Sequence, residues 1–420
     1  MSTAGLCVAA LLLTACHGPA PTAAGRIVFK HGKVPGQHRM LRELLDRFES
    51  ESGIEVEDET LPSSSDIQHQ YFITALEGGE AGLDVIAMDV VWVPEFSRAG
   101  WLLDLSDHVD GALRADLFPG PLEACTDRGR LYAVPWYVDA GVLYYRKDLL
   151  QKHGRAVPQT YPELAETALD IVRREGRGDL YGFLWQGKQY EGLVCSSLEM
   201  LSSFGGEVLR DGRVEIDSPQ ARTAFAFERG LLTSGASPAL VTTADEESTR
   251  QIFAAGRAVF LRNWVYAWNL FEREGSAVQG RVGVSRIPPG EGGTGASTLG
   301  GWQLGVYRHS RHPQQARALV EFLLRPGSQA QLCRTVGYRP SRRSLYKDAA
   351  LAREMPILPL LLPILESARP RPVTPLYLAL SQTLQSQLSA VVTGLKPVET
   401  ALQEARGELE FALRDPGEAP

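Results

Sequence analysis

The sequence predicts an α/β protein of two lobes, on three observations. Short β-rich apolar runs alternate with amphipathic helical stripes along most of the chain. The part beyond Gly25, about 395 residues, exceeds the roughly 100–200 residues that one core usually organises. Hydrophobic content of 44% and charge of 22% are ordinary for a globular protein, and no later segment is apolar for the roughly 20 residues a spanning helix needs.

The elements follow in order. An apolar stretch from Leu6 ends in Leu13-Thr-Ala-Cys16, too short to span and shaped like a secretory signal. It resembles a bacterial lipoprotein signal, which implies lipidation at Cys16 and an exported protein anchored at the cell envelope; Met1 to Gly5 lacks the usual Lys or Arg. Residues 17–25 read as a Pro/Ala/Gly/Thr tether. Arg26 to Phe29 is a strand, and Met40, Leu41, Leu44, Leu45 and Phe48 form one helical stripe. Ile54 to Glu57 and Asp84 to Met88 are further strands after glycine-containing turns.

In the second half, Ser218-Pro219 supplies an N-cap and a first-turn proline for a helix through Leu231, with Ala221, Ala224, Phe225 and Leu231 inward. Thr243 is expected to cap a helix to Ala255, stopped at Gly256 and followed by the strand Ala258 to Leu261. Pro288 to Gly295 is a glycine-rich loop, Pro313 opens a helix to Leu324, and Pro397 to Leu413 is a last amphipathic helix.

Several function classes are disfavoured. The net charge of -7, with Lys and Arg dispersed, gives no clustered basic face for nucleic acid. Gly182 to Lys188 imitates a phosphate-binding loop, but Gln189 stands where Ser or Thr must reach magnesium. Gly290 to Gly295 matches G-x-G-x-x-G but precedes a strand instead of following one. Cys125, Cys195 and Cys333 lie far apart with no metal-ligand spacing, so either one disulfide or three isolated core thiols fit, and no metal or other cofactor is expected. No catalytic motif emerges; Asp89 and Asp139 as an acid and base keep a glycoside hydrolase or lyase open as an alternative.

What stands out is aromatic residues beside carboxylates, guanidinium groups and glycines at the ends of predicted elements. They are Asp84-Val-Ile-Ala-Met-Asp89-Val-Val-Trp92, Trp136-Tyr137-Val-Asp139, Arg262-Asn263-Trp264-Val-Tyr266-Ala-Trp268, Leu299-Gly-Gly301-Trp302 and Arg369-Pro-Arg371 to Tyr377. Rings suit the apolar faces of a pyranose, and planar charged groups suit its hydroxyls.

At these stretches, and at Trp185 to Cys195, the chain resembles the solute-binding lipoproteins of ABC importers that include the maltose-binding proteins, most closely the trehalose/maltose-binding ones. The resemblance runs from about Arg26 to the last helix. It implies a two-lobed periplasmic-binding-protein-like fold (type II), with a ligand cleft between lobes and hinge crossings near Tyr137–Gly141, Val284–Pro288 and Gly337–Ser344. The lobes would be 26–138 with 288–336, and 139–287 with 337–420. Carried over position by position, it implies that Asp89 and Asp139 accept from sugar hydroxyls and that Arg371 donates. Tyr137, Trp264, Tyr266 and Trp302 would supply rings or phenolic bonds, and Gly301 a backbone contact. Trp92 and Trp268 would be packing supports, Arg262 and Asn263 would stand behind the contact residues, and Tyr377 would be an extra wall.

The resemblance also implies a protein that binds a small saccharide, docks on a membrane permease and carries out no chemistry; nothing in the chain suggests a large exposed apolar interface, so a monomer is expected. Two departures bear on the ligand. Gln37 stands where relatives place a carboxylate, and His69 or Gln70 where they place an arginine. An amide donates as well as accepts, so the hydroxyl pattern read on that side differs. Trehalose, maltose, sucrose and other short glucosides all remain open, as does a non-sugar solute on the same fold.

Overall fold

The computed structural model describes residues 25–32, 38–62, 64–80, 82–291 and 293–414; the readings on Cys16 and Gln37 fall outside these residues. Nine strands form one mixed sheet: β1 Ile27–Gly32, β2 Val56–Leu61, β3 Val85–Asp89, β4 Val134–Arg146, β5 Tyr181–Leu184, β6 Ala258–Trp264, β7 Val282–Ser285, β8 Leu299–Val306 and β9 Arg339–Pro340. Their order is β2-β1-β3-β8-β4-β6-β5, with β7 and β9 also paired to β4. The longer helices are α1 His38–Ser52, α2 Ser65–Glu77, α3 Tyr161–Glu175, α4 Glu191–Ser203, α5 Pro219–Thr233, α6 Glu246–Ala254, α7 Pro313–Leu323, α8 Pro326–Thr335, α9 Leu358–Ser367, α10 Tyr377–Thr393 and α11 Val398–Ala412. None is long and apolar enough to cross a membrane among the described residues.

The first lobe forms as its pattern dictates. Leu41, Leu44, Leu45 and Phe48 of α1 are buried because they recur at helical spacing, and α1 links β1 to the parallel β2. In the second lobe, Ser218 caps α5 by accepting the Ala221 N–H, with Pro219 at the first helical position. The cap of α6 differs from expectation: Thr243 lies in a short 3-10 turn, and Asp245 caps the helix. Its carboxylate accepts the Ser248 N–H at 3.0 Å while the Ser248 hydroxyl accepts the Asp245 N–H at 2.9 Å. This reciprocal pair satisfies two N–H groups at once, which a lone Thr cannot do. Cys125, Cys195 and Cys333 are buried, unbridged thiols.

Both lobes share β4. Its first half, Val134–Ala140, runs antiparallel to β8, and its second half, from Gly141, runs antiparallel to β6. Gly141 sits where the halves meet. A Cβ there would lie 1.8 Å from Glu199 Oε1 and 2.6 Å from Arg262 Nη2, so only glycine lets this buried ion pair close over the strand. Arg262 Nε and Nη2 donate to the Glu199 carboxylate at 2.7 and 2.8 Å, and both side chains are buried.

The return crossing lies later than the expected Val284–Pro288. The glycine-rich loop stays on the second lobe, where the Tyr161 N–H donates to Pro289 O at 2.9 Å and the Gly290 N–H to Ser203 O at 2.8 Å. The chain reaches the first half of β4 at Leu299, opposite Ala140. The third crossing falls within Gly337–Ser344: β9 pairs with Val138 and Tyr137, and Arg339 reaches back to Asn269 Oδ1 at 2.8 Å. Arg342 pairs forward with Asp116 at 3.0 Å.

Candidate functional site

The cleft between the lobes encloses a cavity of about 310 Å3, at the small end of the roughly 300–1,000 Å3 typical of ligand sites. Strand ends build it. β3 carries Asp89 out at its C-terminal end, β4 supplies Tyr137 and Asp139, β6 ends at Trp264 just before Tyr266, and β8 brings Gly301 and Trp302. The β4–β8 register slips between Trp302 and Gln303. This bulge leaves Trp136 unmatched and sets Tyr137 opposite Trp302, as a bulge re-aims side chains next to a site. Gly301 has φ 104°, and a Cβ there would lie 2.4 Å from Tyr137 O; no other residue fits.

The rings are supported from behind. Trp92 is buried and meets Trp302 edge-on at 5.5 Å, and Tyr338 stacks on Tyr137 at 3.8 Å. Trp268 is half-buried against the core and does not line the cavity. Asn263 accepts the Trp264 N–H and donates to Glu246 O. Arg262 stacks under the Trp264 ring at 4.3 Å.

The carboxylates differ in their surroundings. Asp139 Oδ1 accepts the N–H groups of Val265 and Ala140 at 2.8 and 2.9 Å. Burial outweighs these bonds and pushes the Asp139 carboxyl up to about 7. Asp89 is clamped by Arg371, which bonds both its oxygens and also donates from Nη1 to Glu191 Oε1 at 2.7 Å. Glu191, at the start of α4, further accepts from Tyr377 at 2.6 Å and Ser381 at 2.5 Å. The Arg371 terminal nitrogens, expected to donate to a ligand, are thus engaged with protein carboxylates from both lobes, and only Nε lacks a partner. Tyr377 stands behind Glu191 and does not line the cavity.

Gln70 is exposed on α2 and does not line the cavity, because the helical turn points it outward. His69 is buried against Glu95 at 2.7 Å. The α2 residues that reach the cavity are Ser65, whose hydroxyl donates to Asp89 Oδ2 at 3.3 Å, and Gln68, whose amide donates to Pro62 O at 2.7 Å. Sequence reasoning also missed Tyr190, Glu191, Glu246, Glu247 and Tyr338 as lining residues. Tyr190-Glu191 opens a helix inside the distinctive Trp185 to Cys195 stretch, which was a usable signal. Among the described residues no group of three or more His, Cys, Asp or Glu could hold a metal ion.

A cleft of rings and acceptors between two lobes is the arrangement of a small-molecule binding site. The chain belongs to the bacterial extracellular solute-binding protein family, whose model matches residues 37–330. A probable ABC transporter-binding protein of Deinococcus radiodurans is 37% identical over 374 residues, 87% of this chain and 88% of that one. The maltose-bound structure of T. maritima MalE3 is 40% identical, covers 92% of this chain and all of that one, with a TM-score of 0.88. A Thermotoga lettingae ABC transporter solute-binding protein bound with α-D-tagatose is 25% identical, covering 93% of this chain and 100% of that one, with a TM-score of 0.83. The fold is therefore the two-lobed solute-binding fold, and the protein is an exported binding component of an ABC transporter, not an enzyme. The hydrolase alternative based on Asp89 and Asp139 is set aside.

Proposed function

We propose that the protein captures a di- or oligosaccharide of the maltose or trehalose type, closes its lobes over it and delivers it to a membrane permease. The observation that carries this reading is one cavity in which the rings of Tyr137, Trp264, Tyr266 and Trp302 face the acceptors Asp89 and Asp139. A pyranose offers apolar C–H faces to such rings and hydroxyls to such carboxylates. Asp139 accepts from a hydroxyl, Gly301 admits the ligand close to the backbone, and Gln68 takes the place first given to Gln70. The likeness to a maltose-bound protein supports a glucoside. The lobes are 26–138 with 302–336, and 139–296 with 337–414, with the return crossing at 297–301. Cys16 carries the lipid anchor, and the receptor works as a monomer.

The test is a thermal-shift screen of the protein from Gly25 onward against trehalose, maltose, sucrose, glucose and mannitol, followed by calorimetry on each hit. A ligand that binds only the folded state adds about 2.7 kcal/mol at 100 times its Kd. Stabilisation by a disaccharide, lost in Trp302→Ala, is the expected result. Protein that is folded yet unmoved by every sugar overturns the reading in favour of a non-carbohydrate solute.

A further inference from the structure

The three rings on the second-lobe side of the cleft share one support. Glu246 and Glu247 occupy the first turn of α6. Glu246 Oε2 accepts the Tyr190 hydroxyl at 2.5 Å, and its Oε1 accepts the Trp264 indole N–H at 3.2 Å. Glu247 Oε1 accepts the Tyr266 hydroxyl at 2.9 Å, and its Oε2 pairs with Arg250 Nη2 at 2.8 Å. The turn itself is tied down from two directions. The Asp245–Ser248 capping box fixes its start, and Asn263, at the end of β6, donates to Glu246 O at 3.0 Å.

Both carboxylates also line the cavity. We propose that Glu246 and Glu247 act as positioning residues that lock the aromatic wall and set affinity for ring-shaped ligands through Tyr190, Trp264 and Tyr266. A ring on a strand end turns about two side-chain torsions, and stacking on a pyranose uses one orientation of the face. A bond to the polar rim of each ring removes that freedom before the ligand arrives. A carboxylate acceptor suits this task because charge-assisted bonds are roughly twice as strong as neutral ones. The helix N-terminus favours the negative charge as well. Glu246 holds two rings with its two oxygens, so its acceptor capacity along those directions is spent on protein.

This inference rests on the saccharide reading, and the experiment separates the two. Affinity for maltose is measured by calorimetry in four proteins: wild type, Glu246→Ala, Tyr190→Phe/Trp264→Phe, and the triple variant Glu246→Ala/Tyr190→Phe/Trp264→Phe. Glu246→Ala is expected to weaken binding about 10- to 100-fold in the wild-type background and less than about twofold in the double-Phe background, where nothing remains for it to hold. An equal loss in both backgrounds means that Glu246 binds the sugar directly and overturns the inference, as does no loss in the first. A second readout needs no sugar and no substituted site beyond Glu246. With 15N-labelled Trp, the Trp264 indole N–H signal of ligand-free protein moves in Glu246→Ala while that of Trp101 stays in place. An unmoved Trp264 signal overturns the positioning role even in a protein that binds maltose. Wild-type protein that binds no sugar removes the receptor reading and the affinity effect together, and the indole signal then decides the positioning role alone.

Discussion

Removing the Arg371 guanidinium should open the protein without unfolding it. The side chain is buried and joins Asp89, at the end of β3 in the first lobe, to Glu191, at the start of α4 in the second. Arg371→Met keeps the aliphatic length and deletes the charge, leaving two carboxylates facing one another with no cation between them. Each charge-assisted bond contributes about 1.5–3 kcal/mol, and breaking a buried pair by removing one partner costs about 3–5 kcal/mol. In this protein the carboxylates can escape much of that cost, because parting the lobes returns them to water. The penalty then falls on the closed state, by about 2–4 kcal/mol. A ligand that needs the closed state loses about 30- to 1,000-fold in affinity. Calorimetry with maltose reads the loss, and small-angle scattering of the ligand-free variant reads a larger radius of gyration. Glu191→Gln is the control. It weakens one arm while leaving Arg371 in place, and it should lose affinity in the same direction. Affinity within about threefold of wild type in Arg371→Met refutes the reasoning. An unfolding midpoint that collapses in ligand-free Arg371→Met refutes it differently, by making the cluster a fold determinant.

Other outcomes follow from the packing. Glu228 is buried with Ser197 as its side-chain partner, and burial pushes its carboxyl up to about 8; its native affinity for a proton exceeds that of the unfolded chain, so its contribution to stability is full below about pH 4 and lost as pH rises to about 8. Glu228→Gln should flatten that slope and stabilise the protein by roughly 2–4 kcal/mol at pH 8, read by urea unfolding at pH 5 and pH 8; equal slopes in the two proteins contradict it. Gly301→Ala places a Cβ against Tyr137 O at positive φ and should cost about 1–3 kcal/mol, seen as a lowered unfolding midpoint together with weakened maltose binding. Glu199→Ala strands the buried Arg262 and should destabilise by about 3–5 kcal/mol, whereas a joint change of Arg262→Met and Glu199→Met should cost less, both checked by chemical denaturation.

Much of the fold was legible because it rests on local rules. The α1 stripe, the Ser218-Pro219 start, the Gly256 stop and the strand that ends at Asp89 each depend on residues a few positions apart. The errors came where distant residues decide. Nothing near Pro288 reveals that the loop is pinned to Ser203, so the return crossing was placed early. Thr243 and Asp245 are both good caps, and Ser248 settles the choice only once its hydroxyl is seen to answer Asp245. At the site, Asp89, Tyr137, Asp139, Trp264, Tyr266, Gly301 and Trp302 all line the cavity. Gln70 was misjudged by half a helical turn, since Gln68 on the other face reaches inward. Tyr338 could not be read, because its stack on Tyr137 joins residues from distant segments, and the same holds for the Arg371 clamp.

The sharing of β4 has a mechanical consequence. A single continuous backbone serves both lobes, so any swing of one lobe against the other turns about the stretch where its partners change, at Asp139 to Gly141. Asp139 therefore lies where the strand changes partners, with Trp302 on the first-lobe side of it and the α6 carboxylates on the second-lobe side.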